Sequence, residues 1–244
     1  MQKNVEDKPI SLSRTLERLQ RGEAVTIVSY GDSNSAVTFQ TRGHMNWVGL
    51  LEEALFEKYG SGSCILINSS RCGVTYRDGL ARLDSDVIRF RPDLVILSFG
   101  MNDATRGLQE LPSFRSEVRD ILLKIRELTD AEILIRTPNP VVVHGVQIPA
   151  GQRLGRSYQD SRLPVKEYSQ ALVELADELR CPVVDHYSLW CAKKFTFEHP
   201  EADPTGLWPR MSDPTHPGAV GHLAFFREMA SVFEVSPFFP WEER

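Results

Sequence analysis

Three side chains of this sequence have the types and the spacing that nucleophilic catalysis requires. The stretch GDSNS places Ser33 directly after an apolar run that ends at Gly31. Far along the chain, DPTHP places His216 three positions after Asp213, with a proline directly after each. A carboxylate at this spacing can curl back to the imidazole, fix its tautomer and leave the far nitrogen free as a base. Taken singly, GDSNS also suits an ordinary turn, and the Asp–His pair a capped helix beside a surface histidine.

Apolar runs alternate with helical periodicity along most of the chain, and this pattern predicts the elements that must position those side chains. The predicted strands cover residues 24–30, 64–68, 93–100, 131–137 and 181–185. The predicted helices cover about 11–21, 47–60, 76–90, 113–129, 163–180 and 218–233. The alternation predicts an α/β fold in which a five-stranded parallel sheet is covered by helices on both faces.

The composition and charge indicate which class of protein this is and which partners to expect. With 244 residues, of which 41% are hydrophobic, we expect one domain over 1–244, with an N-terminal helix at about 11–21 and a core at about 24–235. The net charge of −5 gives no reason to expect nucleic acid or an anionic membrane as a partner. No apolar run approaches the roughly 18 residues of a membrane span.

The N-terminus and the cysteines predict a location. We see no signal peptide, because the first residues include no apolar stretch, and the four cysteines form no CxxC pair. A cytoplasmic protein with reduced thiols is the simplest account. The aromatic segment 233–241 either packs onto the fold or forms a dimer interface, so a homo-oligomer stays open.

Polar or glycine-bearing segments follow the first three full strands, at 31–35, 68–73 and 100–103. In open parallel sheets, ligands bind beyond the carboxyl ends of the strands, near the point where the strand order reverses. We therefore expect these segments to meet at one edge of the sheet and to form a site there.

The blocks GDSNS, GMND and DPTHP resemble, in this order, the sequence blocks of the SGNH, or GDSL, hydrolase family. INSSRCGVTYRDGLARL also resembles the second block of the family, in which an asparagine opens a turn and a later glycine donates its amide. The match runs from Ile27 to His222. It implies a flavodoxin-like three-layer α/β/α sandwich, hydrolysis of a carboxylic ester, and no metal or organic cofactor.

The resemblance also implies a role for each matching residue. Ser33 is the expected nucleophile, His216 its general base and Asp213 the partner that orients the base. The N–H groups of Ser33 and Gly73 and the side-chain amide of Asn102 are the expected donors to the oxyanion. Such donors matter because the loss of one typically lowers turnover by about 10²–10³.

Four residues near these blocks are expected to play supporting parts. Ser70 and Cys72 stand where the family often has a glycine and a serine, and Cys72 is interpreted as a small apolar filler. Asp32 and Asp103 are expected to tie loops together through hydrogen bonds to backbone amides.

Other classes fit the sequence less well. A metallophosphoesterase needs GD-x-x-D and GN-H-D arrangements, but Ser35 replaces the acid and no histidine follows Asn102, so no metal site is expected. An α/β-hydrolase needs G-x-S-x-G, and GDSNS lacks the last glycine. A non-catalytic ester- or glycan-binding module on the same fold stays open as an alternative of another class.

Two long irregular regions, 138–162 and 194–217, are expected to overhang the site and to select the substrate. The candidates for substrate contact are Arg42, His144, Tyr158, Trp208 and Arg210. Polar and aromatic walls suit a small acyl group, such as acetyl, on a sugar-like alcohol, although a solvated loop surface explains the same residues. A lysophospholipase or acyl thioesterase of the same family is the alternative substrate class.

Overall fold

One parallel sheet of five strands forms the centre of the computed structural model, which describes residues 12–141, 164–192 and 210–239. The strands are β1 (Val25–Gly31), β2 (Cys64–Asn68), β3 (Leu94–Ser98), β4 (Glu132–Arg136) and β5 (Val183–Val184). Their order is β2-β1-β3-β4-β5, so the direction of winding reverses between β1 and β3. All residues of the central strand β3 are buried because helices cover both of its faces.

Helices form a layer on each face of this sheet. In the described residues the α-helices are α1 (Ser13–Gln20), α2 (Trp47–Tyr59), α3 (Tyr76–Asp86), α4 (Leu111–Leu128), α5 (Val165–Glu178), α6 (His186–Ala192) and α7 (Ala219–Ala230). One apolar core joins α1, α2 and α7 to the sheet, and a second joins α3, α4 and α5 to the opposite face. The predicted three-layer α/β/α sandwich is confirmed, whereas a single domain over 1–244 stays a prediction.

Two details differ from the sequence-based prediction. The helix expected over 76–90 ends at Asp86, and a separate 3₁₀ turn covers Ile88–Phe90. Helix α6 was not predicted, because it has only seven residues and so short a segment carries little periodicity.

Gly31 ends β1 and is paired with Ser98 of β3. A Cβ atom at this position would lie 2.3 Å from Ser98 Oγ and 2.5 Å from the carbonyl oxygen of Ser98. Only glycine therefore fits, and it does so because of close packing between strands. The chain leaves the sheet directly after it, at the carboxyl edge and beside the reversal point, where Ser33 follows.

The candidates His144, Tyr158 and Trp208 lie outside the described residues. Among the residues that are described, no helix combines the length and the apolar character needed to cross a membrane.

Candidate active site

Ser33, His216 and Asp213 form one chain of hydrogen bonds at the carboxyl edge of the sheet. Ser33 Oγ lies 3.0 Å from His216 Nε2. On the other side of the ring, His216 Nδ1 lies 2.9 Å and 3.0 Å from the two carboxylate oxygens of Asp213. An ionised carboxylate only accepts hydrogen bonds, so Nδ1 carries the proton and Nε2 is left to accept one from the serine.

A tight turn brings Asp213 back to its histidine. Met211 and Pro217 form an antiparallel bridge, and the N–H of Ser212 donates to the carbonyl of His216 at 2.8 Å. Inside the turn, Asp213 Oδ1 accepts the N–H groups of Thr215 and His216, each at 2.8 Å. These bonds hold the carboxylate in place before any substrate arrives.

The charge of the Asp213 carboxylate is maintained by the same contacts. Burial alone would raise its pKa, but the hydrogen bonds and charge of His216 and the N–H of Thr215 outweigh burial and hold the pKa below its ordinary value. Asp213 is therefore ionised at neutral pH and can stabilise a proton on the imidazole.

The turn that carries Ser33 is held from several neighbouring elements. Asn46 Nδ2 and Asn68 Nδ2 both donate to the carbonyl of Ser35, each at 2.8 Å. Trp47 Nε1 donates to the carbonyl of Asn34 at 3.0 Å. Because α2 and β2 supply these donors, Ser33 sits on a turn whose carbonyls are already bonded and whose position is set by the sheet.

Ser33, Gly73, Asn102 and His216 line a single cleft of about 450 Å³. The N–H groups of Ser33 and Gly73 have no hydrogen-bond partner within the described part of the chain. Gly73 has a φ of +76°, a left-handed conformation that favours glycine. Asn102 Nδ2 donates to the carbonyl of Val74 at 3.0 Å, which joins the third of these loops to the second. All five residues predicted for the catalytic chain and the oxyanion donors, Asp213 included, are thus brought together.

Comparison with known proteins places this geometry in a family. A model of the GDSL-like lipase/acylhydrolase family matches residues 29–224. The chain belongs to this family. Membership of this family, together with similarity to the esterases described next, shows that the chain is a carboxylic ester hydrolase, as the sequence predicted.

Relatives with curated names show the range of the family. The chain is 26% identical over 192 residues to an acetylxylan esterase of Geobacillus stearothermophilus, and the match covers 77% of this chain and 80% of that protein. It is 26% identical over 164 residues to thioesterase 1/protease 1/lysophospholipase L1 of Escherichia coli strain K12, covering 67% of each. A crystal structure of a catalytic mutant of the acetylxylan esterase Axe2 matches with a TM-score of 0.66 at 20% identity, over 88% of this chain and 96% of that one. This structural likeness confirms the fold.

The two aspartates beside the GDSL blocks are buried and bonded to backbone amides. Asp32 accepts the N–H of Asn34 at 2.9 Å, and Asp103 accepts the N–H of Tyr76, the first residue of α3, at 3.1 Å. Burial raises the pKa of both, that of Asp103 to about 7. Asp103 therefore joins the segment after β3 to the start of α3, whereas the bond between Asp32 and Asn34 lies within one turn.

Asn139, which follows β4, is a residue that the sequence did not single out. Its Oδ1 accepts Asn34 Nδ2 at 3.0 Å, and its Nδ2 donates to the carbonyl of Thr215 at 3.1 Å. Asn34 directly follows Ser33 and Thr215 directly precedes His216, so one buried amide bridges the two halves of the site. No local motif signals this role, because the three segments meet only in the folded chain.

Five further titratable side chains are buried: Asp32, Asp103, Arg136, His186 and His222. Burial lowers the pKa of Arg136 to about 10 and that of His222 to about 3, and it lowers the pKa of His186 well below its ordinary value. Both histidines are therefore neutral at pH 7 and lie away from solvent.

One substrate-contact candidate, Arg210, and Cys72 are placed differently from what the sequence predicted, whereas Arg42 lies in a pocket next to the cleft. Arg210 is buried, with its guanidinium 4.7 Å from the ring centre of Trp190, so it does not line the cleft of Ser33. Arg42 is exposed and lines a neighbouring pocket. Cys72 lies on the cleft wall but is exposed, so its interpretation as a filler is wrong.

Proposed function

We propose that this chain is a serine esterase that works through an acyl-Ser33 intermediate. The observation that carries the proposal is the continuous Ser33–His216–Asp213 hydrogen-bond chain. Nε2 of His216 takes the hydroxyl proton while Ser33 Oγ attacks the acyl carbon, and Asp213 stabilises the imidazolium that forms. The imidazolium then gives its proton to the leaving alkoxide.

Deacylation uses the same groups in reverse order. A water enters the cleft, and Nε2 of His216 removes its proton as the water oxygen attacks the acyl carbon. Collapse of the tetrahedral intermediate breaks the bond to Ser33 Oγ, which recovers its proton from the imidazolium. The products are the carboxylic acid and the free enzyme.

The developing oxyanion is expected to lie between the N–H groups of Ser33 and Gly73 and the amide of Asn102. These groups come from the loops after β1, β2 and β3 and share one cleft. Donors fixed in position before reaction stabilise the transition state without a cost of reorganisation. The N–H groups of Ser33 and Gly73 have no partner in the part of the chain that the structure describes, which supports this assignment.

The substrate that we favour is a short acyl ester, such as acetate, of a carbohydrate-like alcohol. A cleft of about 450 Å³ is at the small end of ligand sites, and an acetylxylan esterase is among the relatives that cover most of the chain. A longer acyl chain is the second candidate, because the exposed side chains of Val37 and Phe39 line the same cleft and provide apolar surface.

A panel of esters separates these candidates. Turnover of p-nitrophenyl acetate, butyrate, octanoate and palmitate, of acetylated xylosides and of acyl-CoA would be measured with purified enzyme. We expect kcat/KM to be highest for acetate and to fall as the chain lengthens. A maximum at octanoate or beyond would favour the lysophospholipase or thioesterase alternative, and no turnover of any ester would favour a non-catalytic binding module.

Cytoplasmic location and homo-oligomerisation stay predictions.

A further inference from the structure

Gln40 stands between two pockets. It lines the cleft that holds Ser33, and it also lines an adjacent pocket of about 260 Å³. The wall of this second pocket includes Arg42 and His44 on one side and Met211 and Ser212 on the other. The second pocket thus begins beside the catalytic chain and extends toward the turn that carries Asp213 and His216.

The side chain of Gln40 is buried, and its carboxamide oxygen is unsatisfied among the described residues. The residue is only 7% exposed, and its Oε1 is buried without a partner within the described part of the chain. A buried polar group left in this state destabilises the folded protein, and native structures contain few of them. Such a group calls for an explanation, and a ligand that bonds to it provides one.

A carboxamide suits one class of ligand well. It offers both a donor and an acceptor, which matches a hydroxyl group that can itself donate and accept. The terminal torsion of glutamine is broad, so the amide can turn toward either pocket at little cost. Arg42 and His44 add polar atoms to the same wall, whereas an acyl chain placed there would leave all three polar groups without partners.

We propose that the second pocket is the site for the alcohol portion of the substrate, and that Gln40 selects a hydroxylated ring by hydrogen bonding to one of its hydroxyl groups. This inference rests on the proposed function, because it assumes that an acyl group occupies the cleft of Ser33. The acyl carbon then lies at Ser33 and the leaving alcohol extends past Gln40 toward Arg42 and His44. The oxygen that leaves Ser33's acyl group belongs to this alcohol, and the imidazolium of His216 protonates it.

Two acetate esters with rings of the same size test the inference. Methyl mono-O-acetyl-xyloside and cyclohexyl acetate share the acyl group and a six-membered ring, and only the first carries hydroxyl groups on it. The measured quantity is the ratio of their kcat/KM values. In Gln40→Leu we expect this ratio to fall about tenfold, because a site built to bond a hydroxyl loses its preference when the bond is removed.

Stability supplies an independent readout. Since Oε1 has no partner among the residues that the structure describes, Gln40→Leu should leave Tm equal to or above that of the wild type. Gln170→Leu makes the same chemical change on helix α5, where the side chain bonds Glu174, and it should keep the wild-type ratio. Gln40→Met serves as a second variant of nearly the same shape, for which the same fall in the ratio is expected.

Three results would overturn the inference. One is a ratio within about threefold of the wild type in both Gln40 variants, because an interaction that selects the hydroxylated ring must change it more. Another is a fall in Tm of both variants with no change in ratio, which would make Gln40 a structural residue. The third is an equal fall in the ratio of Gln170→Leu. Persistent hydrolysis of both esters by Ser33→Ala would instead contradict the proposed function itself, so the two failures are distinguishable.

Discussion

The catalytic chain, which reaches the cleft through Ser33 and His216, and the buried residues Asp32, Asp103, His186 and His222 share the same titratable residue types. His216 reaches the cleft, whereas burial lowers the pKa of His222, six residues later, to about 3. Asp213 has a pKa below its ordinary value, whereas burial raises the pKa of Asp103 to about 7. Residue type therefore does not decide which group does chemistry. What decides it is whether the group lies beside a cleft and has a partner that stabilises its charge.

Ser33 and Ser35, only two positions apart in the sequence, show the same contrast. Ser33 lies on the cleft and bonds His216, whereas Ser35 is fully buried and its Oγ contacts Ser98 Oγ and accepts Trp47 Nε1 at 3.2 Å. The first is placed for attack on a substrate. The second holds the turn on which the first sits.

The largest expected effect separates these two serines. Ser33→Ala should lower kcat/KM for p-nitrophenyl acetate by at least about 10⁴-fold with little change in Tm, because the hydroxyl is the proposed nucleophile. Ser35→Ala should lower Tm by several degrees through lost buried hydrogen bonds and keep kcat within about tenfold. Steady-state kinetics and thermal denaturation of both variants make the comparison. Retained activity in Ser33→Ala, or equal loss in the two, would remove the distinction.

Asn102 tests whether the cleft donors act in the transition state. Asn102→Ala should lower kcat by about 10²–10³-fold and change KM little, because its amide is proposed to bond the oxyanion. Asn102→Asp serves as a second variant that keeps the shape and adds a negative charge, and it should lose at least as much. An effect limited to KM in both variants would assign Asn102 to substrate binding instead.

Asn139 and Thr137 follow β4 two residues apart and separate positioning from stability. Asn139→Leu should lower kcat about tenfold, with KM nearly constant, because the bridge from Asn34 to Thr215 is lost and small misplacement of reacting groups is costly. Thr137→Val removes bonds to Asp185 and Tyr187, which lie away from the site, and should lower Tm but keep kcat within about twofold. Asn139→Asp keeps the acceptor and should recover part of kcat. Parallel losses of kcat in Asn139→Leu and Thr137→Val would mean that Asn139 contributes only stability.

The smallest expected effect concerns the buried Asp103 and the pH dependence of stability. Burial, together with the charge of Asp32, raises the pKa of Asp103 from 3.8 to about 7. Between these values the native state binds more protons than the unfolded state, so stability falls as pH rises through this window. Asp103→Asn removes the titration. Its Tm relative to the wild type should therefore increase by a few degrees from pH 4.5 to 7.5, as measured by thermal denaturation. A difference that is constant with pH, or that shifts the other way, would contradict the raised pKa.

The sequence predicted the local features of this molecule well. The strands were predictable because buried parallel strands are apolar throughout, and the Asp213–His216 pair because a three-residue spacing is a local property. The meeting of Ser33, Gly73 and Asn102 followed from the rule that carboxyl ends of parallel strands share one edge.

What the sequence could not predict depends on distant segments. Asn139 bridges Asn34 and Thr215, which lie 105 and 76 positions away along the chain. Gln40 is noticeable only because its Oε1 is buried without a partner among the described residues and because its side chain lines two pockets. The sequence suggests Arg210 for substrate contact, and its burial against Trp190 is likewise a tertiary contact that no local pattern signals.

The most direct test of catalysis at Ser33 is covalent labelling with a fluorophosphonate, followed by peptide mass spectrometry. We expect one phosphonyl adduct, on Ser33, which is absent in Ser33→Ala and forms much more slowly in His216→Ala because the base is missing. Ser35 should stay unmodified. An unlabelled wild-type protein, or an adduct on Cys72 or another residue in place of Ser33, would contradict the assignment of Ser33 as the nucleophile.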